Sequence, residues 1–459
     1  MSTSSSTPTS TSTSISRKNT AQMAEQVLEL VMSAGATGDL IIDEGETLSL
    51  KACDGELEEY KVSSSRIFGL RVIKNGHVGT AYSEAVDTDA LSSMVAQALN
   101  NASFVKVESH ENILQNSDHL KTDDELLCPQ EQVSIEQKIE MALEIESKLT
   151  AKDKVKNVPY NGVQDITSQR HIFSSAGLNA LTRSRMCASY AYALVEDGEN
   201  NAMQGTSQIS RLFSGLNAST VIDKTYGKCI GLLNGKPIPS KHYDVIFDQE
   251  SQTSVFGVFS MMFSGKAAKD GINPMRDKIG SVIADSRLTI YDHPLNVDGF
   301  GYHLFDAEGT ATQKSELVID GCLQTLIHNS ATASYFGTRT TGHASRGPRS
   351  TLGVNLHQVE IAKGSENLST LLSGEYLEIT DLSGLHSGAN AISGNFSFGA
   401  SGYLCKDGER IQAVRGITVA GNFYEMLNKI SMIGNQQHWN EGLSALMPGI
   451  RFSDVAISG

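Results

Sequence analysis

Long apolar runs, paired cysteines and a surplus of basic charge are all missing from these 459 residues. No apolar stretch reaches the ~18–20 residues that a bilayer-spanning helix needs, so a membrane span is not expected. The six cysteines are widely scattered, and the closest two in sequence, Cys187 and Cys229, are 42 positions apart. Neither C-x-x-C nor C-x-x-H occurs, which excludes a cysteine-rich zinc site. A chain of this length needs no disulfide staples, and the spacing fits free thiols in a reducing compartment. With 37 Lys and Arg against 52 Asp and Glu, the formal charge is -15. Such a surface repels phosphate backbones and anionic lipid, so neither nucleic acid nor membrane is an expected partner. The opening MSTSSSTPTSTSTSIS lacks the apolar segment of a secretory signal. It reads as a disordered Ser/Thr tail over residues 1–19, and the cytoplasm is the expected location.

What is present is a chain long enough for several well-buried domains. Residues 20–35 (TAQMAEQVLELVMSAG) form an amphipathic pattern closed by Gly35, and short β patterns follow. Asn75-Gly76 splits two β runs, as do Asp320-Gly321 and Asp407-Gly408 farther on; each pair suits a hairpin whose turn residues accept positive φ. A helix is predicted at about 87–103. Ser134-Ile135-Glu136-Gln137 is a capping box ahead of a stripe of Ile135, Ile139, Ala142 and Leu149. Strands resume over 156–213, and a further helix follows near 219–233. The expected organisation is a tail (1–19), an N-terminal α/β domain (20–105), a linker (106–130), a middle α/β domain (131–235) and a β-rich C-terminal domain (236–459). The fold class is α+β.

Several catalytic signatures fail. G-x-S-x-G is absent, and GLLNGKP (231–237) lacks phosphate-loop spacing. GFG at 299–301 has no third glycine, and His110-Glu111 has no second histidine at zincin distance. His293, His303, His343 and His386 stand near glycines or turns, where a histidine either serves a local backbone group or meets others as ligand or base. Asp306 and Glu308 in FDAEGT are a candidate carboxylate pair, although beside Gly309 a loop-capping role is the stronger reading.

The order of the C-terminal motifs is distinctive. Phe305-Asp306-Ala307-Glu308-Gly309-Thr310-Ala311-Thr312 precedes a hairpin, and Thr341-Gly342-His343 follows an alanine-containing helix. Ile392-Ser393-Gly394-Asn395-Phe396-Ser397, Gly399-Ala400-Ser401-Gly402-Tyr403-Leu404, Ile417-Thr418-Val419-Ala420-Gly421-Asn422 and Ile433-Gly434-Asn435 come next. In this order, together with the early KNGHVGTAYSE hairpin, they resemble the TldD/PmbA family, also called modulator of DNA gyrase, over about residues 20–459. The resemblance implies a β-rich C-terminal domain with metallopeptidase chemistry. In the catalytic TldD branch, a helix directly after a strand like VIFD carries H-E-x-x-x-H, and a cysteine ligand lies near the C-terminus. Zinc there polarises the scissile carbonyl and acidifies its water, and the glutamate takes the proton.

Carried onto this chain without gaps, the two histidines fall on Gly257 and Met262, the glutamate on Val258 and the cysteine near Gly442. No residue at these positions is a competent zinc ligand or base. SVFGVFSMMF within residues 249–264 is therefore expected to be one buried helix, with Asp248 and Glu250 at its start and Gly265-Lys266 at its end. The resemblance then points to the PmbA (TldE) branch: the non-catalytic subunit of a TldD–TldE heterodimeric zinc peptidase that cleaves extended or unfolded peptides. No metal is expected in this chain; the zinc is expected in the TldD-type paralogue, and a homodimer is compatible with the isolated chain. Asp306, Glu308, Gly342, His343, His386, Asn395 and Ser397 are the expected substrate or subunit contacts. The glycines of GLHSGANAISGNFSFGASG would either admit a close peptide backbone or serve hairpins and bulges. Two other classes compete. One is a self-sufficient metallohydrolase built on His343, His386 and the Asp306/Glu308 pair; the other is a binding protein acting without any peptidase.

Overall fold

The computed structural model describes residues 11–115 and 120–459, so residues 1–10 of the expected tail lie outside the described residues. The helix expected over 20–35 is present as part of α1 (Thr11–Ser33). Three long strands follow, β1 (Thr37–Cys53), β2 (Glu56–Lys74) and β3 (His77–Ser83), and then α2 (Thr88–Ser103), capped by the Asp87 side chain. The linker holds one turn of helix, α3 (Asp124–Leu127). Next come α4 (Ile135–Thr150), β4 (Val155–Ser174), β5 (Asn179–Asp197), β6 (Asn200–Ser210) and α5 (Ala218–Leu232). Ser134 and Gln137 form the expected capping box of α4.

All six strands join one antiparallel sheet in the order β3-β2-β1-β4-β5-β6. β1 pairs with β2 along its length and, over Asp39–Leu50, with β4 of the expected middle domain, so one sheet spans both expected domains. One face explains the length of these strands. Leu40, Ile42, Phe68, Leu70 and Val72 sit under α1 and α2, and Leu50 and Val163 sit under α4 and α5. Between these two cores the same face is polar, and Glu44, Glu46, Ser64, Arg66, Thr167 and Gln169 line a groove. All six cysteines are free thiols.

The C-terminal part comprises β7 (Lys241–Phe247), α6 (Gln249–Val258), α7 (Gly265–Lys269), β8 (Ile290–Asp292), β9 (Ser315–Ile319), β10 (Cys322–Leu323), α8 (Ser330–Phe336), β11 (Ala344–Ser345), β12 (Gly353–Val354), β13 (Val359–Ile361), α9 (Leu368–Leu371), β14 (Glu375–Ser383), β15 (Asn395–Lys406), β16 (Glu409–Asn422), α10 (Phe423–Met426), β17 (Ile430–Trp439) and β18 (Ala445–Ser458). β7, β14, β15, β16 and β18 close on themselves through the β18–β7 pairing, and β13, β8, β9 and β10 extend the sheet from β18. Asn75, Asp320 and Asp407 take positive φ, as do the glycines after them, so all three expected hairpin turns are present. The β content of this third follows from such turns between β-branched and aromatic runs.

The single helix expected over 249–264 is a correction. α6 stops at Val258, Phe259 leaves helical geometry (φ -99°, ψ 8°), and a 3-10 turn covers Ser260–Phe263. Gly265 does not terminate a helix but opens α7, which Ser264 caps through its side chain. Across the break, Phe256, Phe259, Met262 and Phe263 all reach one core with Phe247, Phe396, Phe398, Phe423 and Phe452.

The opposite face of the six-stranded sheet packs on the C-terminal domain. Ile41, Ile172, Leu178 and Ala180 surround Phe305. Gly69 lies so close to Pro348 that a Cβ would overlap its backbone, so only glycine permits this docking distance.

Candidate functional site

The carboxylates of FDAEGT turn inward. Asp306 Oδ1 accepts from the amides of Glu308 and Thr310, both at 2.9 Å, and its Oδ2 accepts from Ala344 N at 2.9 Å. It thus fixes a tight loop that Gly309 completes at φ +74°. Burial pushes the Asp306 carboxyl up to about 6. Glu308 caps α8: Oε2 accepts from Ser330 N at 2.9 Å and Oε1 from Ser330 Oγ at 2.5 Å. Arg71 Nη2 stands 3.6 Å from Glu308 Oε1, yet burial dominates and pushes this carboxyl up to about 7. The loop-capping reading therefore describes both residues.

Arg71 is the centre of a buried ionic junction between the two halves of the chain. Its Nε donates to Asp39 Oδ2 at 2.7 Å and its Nη1 to Glu111 Oε2 at 2.8 Å. Arg346, from the C-terminal domain, also pairs with Asp39 and donates to Gly69 O at 3.3 Å. Sequence reading missed this junction: its members are up to 307 positions apart, and each alone looks like an ordinary surface charge.

His343 is buried as well. Its Nε2 lies 2.8 Å from Asp292 Oδ2 and its Nδ1 lies 2.8 Å from Thr341 Oγ1. Asp292 is fully buried at the end of β8, and its Oδ1 accepts from the amides of His357 and Gln358, both at 2.9 Å. His357 Nε2 lies 2.8 Å from the carbonyl of Gly342, whose φ of +74° turns that oxygen inward. The His343 and His357 rings are 5.1 Å apart, and His303, an exposed residue, lies 5.3 Å from His357. Burial pushes His328 and His357 down to about 4, leaving both rings neutral near pH 7. Among the described residues, Asp292, His343 and His357 are the one group of three whose ligating atoms fall within 4.8 Å of each other. Asp292 and His357 drew no notice in the sequence, where neither belongs to a motif.

His293 pairs instead with Glu360, 2.5 Å from its Nδ1. His386, Asn395 and Ser397 stand on the exposed end of β14 and β15, and the hydrogen bonds given above for Asp306, Glu308 and His343 go to other segments. Asn395 Oδ1 accepts from Asn422 Nδ2 at 2.9 Å, and Ser397 N donates to Gly388 O at 2.7 Å. A Cβ at Gly388 or Gly402 would run into Ser397 O or Glu378 O, so here the closely approaching backbone is this chain's own.

The positions matched to the zinc helix are equally plain. Gly257 is exposed, and a Cβ there would meet nothing within 4 Å. Val258 is half-buried against the core, and Met262 is buried in it. Gly442 sits in the β17–β18 turn beside Glu441, whose amide donates to Glu250 Oε1 at 2.5 Å and whose side chain pairs with Lys228 at 2.9 Å. Burial raises Glu250 and pushes Asp248 up to about 6.

A first test concerns Glu308. Because its carboxyl titrates higher in the fold than in an open chain, its contribution to stability is full below about 4.5 and is lost as pH rises through about 7. Glu308→Gln imitates the protonated acid. Its stability relative to wild type should therefore rise from pH 5 to pH 8, at no more than ~1.4 kcal/mol per pH unit, the slope for one proton. Urea denaturation of both proteins across that range gives the difference, in which the opposing histidine contributions cancel. A difference independent of pH would rule out the titration.

Comparison with known proteins bears on the whole chain. Residues 240–459 match the profile of the PmbA/TldA metallopeptidase C-terminal domain, residues 38–102 that of its domain 1 and residues 128–227 that of its central domain. The chain is 24% identical over 447 residues to Metalloprotease PmbA of Escherichia coli O157:H7, covering 95% of this chain and 96% of that one. It is 25% identical to the Metalloprotease PmbA homolog of Haemophilus influenzae, over 91% of this chain and 92% of that one. The crystal structure of TldE from Thermococcus kodakarensis shares the fold with a TM-score of 0.81 at 21% identity, over 96% of this chain and 100% of that one. A Thermotoga maritima structure reaches 0.85 at 24% identity, over 95% of this chain and 100% of that one. With all three domains matched in order, this chain belongs to the PmbA/TldD metallopeptidase family.

Proposed function

We propose that this chain is a TldE/PmbA-type subunit of a heterodimeric zinc peptidase of the cytoplasm, in which a TldD-type paralogue holds the zinc and hydrolyses extended peptides. The observation that carries the reading is the donor set at the zinc-helix positions. Gly257, Val258 and Gly442 offer no side-chain donor, and Met262 offers only a thioether turned into an aromatic core. These residues do not fit zinc, which takes imidazole, thiolate or carboxylate ligands, and no hydrolytic step is assigned to them. A subunit of this kind still has physical work to do: covering the paralogue's catalytic face, narrowing access, and lending strand edges to an extended substrate.

Co-expression with a TldD-type paralogue tests this. One stable complex is expected, with peptide hydrolysis only when both chains are present and none after the paralogue's motif glutamate becomes glutamine. Hydrolysis by this chain purified free of the paralogue would sink the proposal.

A further inference from the structure

We infer that Asp292, His343 and His357 form a binding site for a first-row divalent cation, zinc by preference, separate from the zinc-helix positions and independent of the subunit reading above. The argument starts from charge. Asp292 is fully buried, and among the described residues its sole ion-pair partner is His343, which is cationic only when protonated. A buried carboxylate without a firm counter-charge is costly, and a divalent cation supplies that charge directly.

Geometry adds to this. The three ligating atoms converge within 4.8 Å. Around a tetrahedral ion with bonds of ~2.1 Å, ligands stand ~3.4 Å apart, so the widest pair closes by ~1.4 Å, within the reach of a ring rotation. Each ligand is also held from behind, as ligands of bound metals are. Asp292 Oδ1 is fixed by two amides, His343 Nδ1 by Thr341 Oγ1, and His357 Nε2 by the Gly342 carbonyl. Two imidazoles and one carboxylate form a donor set typical of zinc, and unlike that of calcium or magnesium. His357 is half-buried and His303 exposed, so ions reach the cluster from that side, where water or the His303 ring completes the coordination. The site joins the end of β8 to the segments around Gly342 and His357, next to the loop that Asp306 organises through Ala344. Its role is therefore to clamp the part of the C-terminal domain that docks on the six-stranded sheet. A cation bound here would depart from the sequence expectation of a metal-free chain.

The test uses the full chain, untagged, stripped with a chelator and titrated with cobalt(II) and zinc(II). Wild type is expected to take up about one equivalent, to give the intense visible bands of low-symmetry cobalt with nitrogen ligands, and to melt higher with zinc than with chelator. Asp292→Asn keeps an oxygen for the two amides, and His357→Gln keeps a donor for Gly342; each should weaken cobalt binding at least tenfold, whereas Met262→Leu and His386→Ala should leave it unchanged. Folding of each variant is read from circular dichroism, and if one fails to fold the other decides. Folded wild type that shows no cobalt bands and no zinc-dependent melting overturns the site, as does binding insensitive to both variants. Metal bound without peptide hydrolysis supports the site. Metal bound with hydrolysis by this chain alone also supports it and overturns the subunit reading, so the two proposals fail separately.

Discussion

Replacing Arg71 by methionine is expected to destabilise the protein by about 3–5 kcal/mol, the usual consequence of removing one partner from a buried ion pair. Arg71 is 1% exposed, and it faces Asp39, Glu111 and Glu308 together. Without the guanidinium, Glu111 and Glu308 lose the charge of Arg71, and Asp39, among the described residues, keeps Arg346 as its ion-pair partner. Arg71→Lys should recover little, because an ammonium is a point charge and cannot spread donors across three carboxylates. The loss should also be uneven. The junction joins the six-stranded sheet to the C-terminal domain, so the two halves should uncouple before either unfolds. The sole tryptophan, Trp439, lies in the C-terminal domain and reports on that half, while circular dichroism reports on both. In urea the two probes should coincide for wild type and separate for the variant. Coincident curves with a loss below about 1 kcal/mol would show that the junction is well solvated and of little consequence.

The junction also shows what the sequence made legible and what it hid. Turns were legible because their chemistry is local: Asn75-Gly76, Asp320-Gly321 and Asp407-Gly408 each need two adjacent residues that accept positive φ, and each does so. The Ser134–Gln137 capping box was legible for the same reason. The length of β1 was not, because its middle, Asp43-Glu44-Gly45-Glu46, reads as a charged break between two strands. It is instead the polar strip between two helix-covered cores on one unbroken sheet face. The family was readable from the order of its motifs, which needs no contacts. The carboxylates of FDAEGT were readable as loop caps because Gly309 marks the turn they serve. The Asp292–His343–His357 cluster lay beyond reach: its members come from three segments, and a histidine on its own does not disclose which carboxylate it will face. The helix over 249–264 failed differently, since its apolar residues suit a helix and a broken helix alike. Only the packing of Phe259 decides between them.

That packing yields the second large effect. Phe259→Ala should lower stability by about 3–5 kcal/mol, the range for emptying a buried aromatic site. The ring is fully buried, stacks on Phe423 at 4.5 Å with planes 7° apart, and meets Phe396 and Tyr424 edge-on at 6.2 and 6.0 Å. Removing it leaves a void between α10, the start of β15 and the end of α6, and the rigid neighbouring rings cannot collapse to fill it. Two residues earlier the outcome should reverse. Gly257 is exposed at the end of α6 with nothing near its missing Cβ, so Gly257→Ala should be neutral or stabilising by up to about 1 kcal/mol, the backbone-entropy gain of alanine over glycine in a helix. The contrast carries information about function as well as packing. If α6 ended in a pocket kept open for an ion or a substrate, Phe259 would be tolerant and its loss would show in binding rather than in melting. Chemical denaturation of the two single variants separates these cases: a Phe259→Ala loss below about 1 kcal/mol would mean that the end of α6 is an open cleft, and the account of this helix as refitted core would have to be given up.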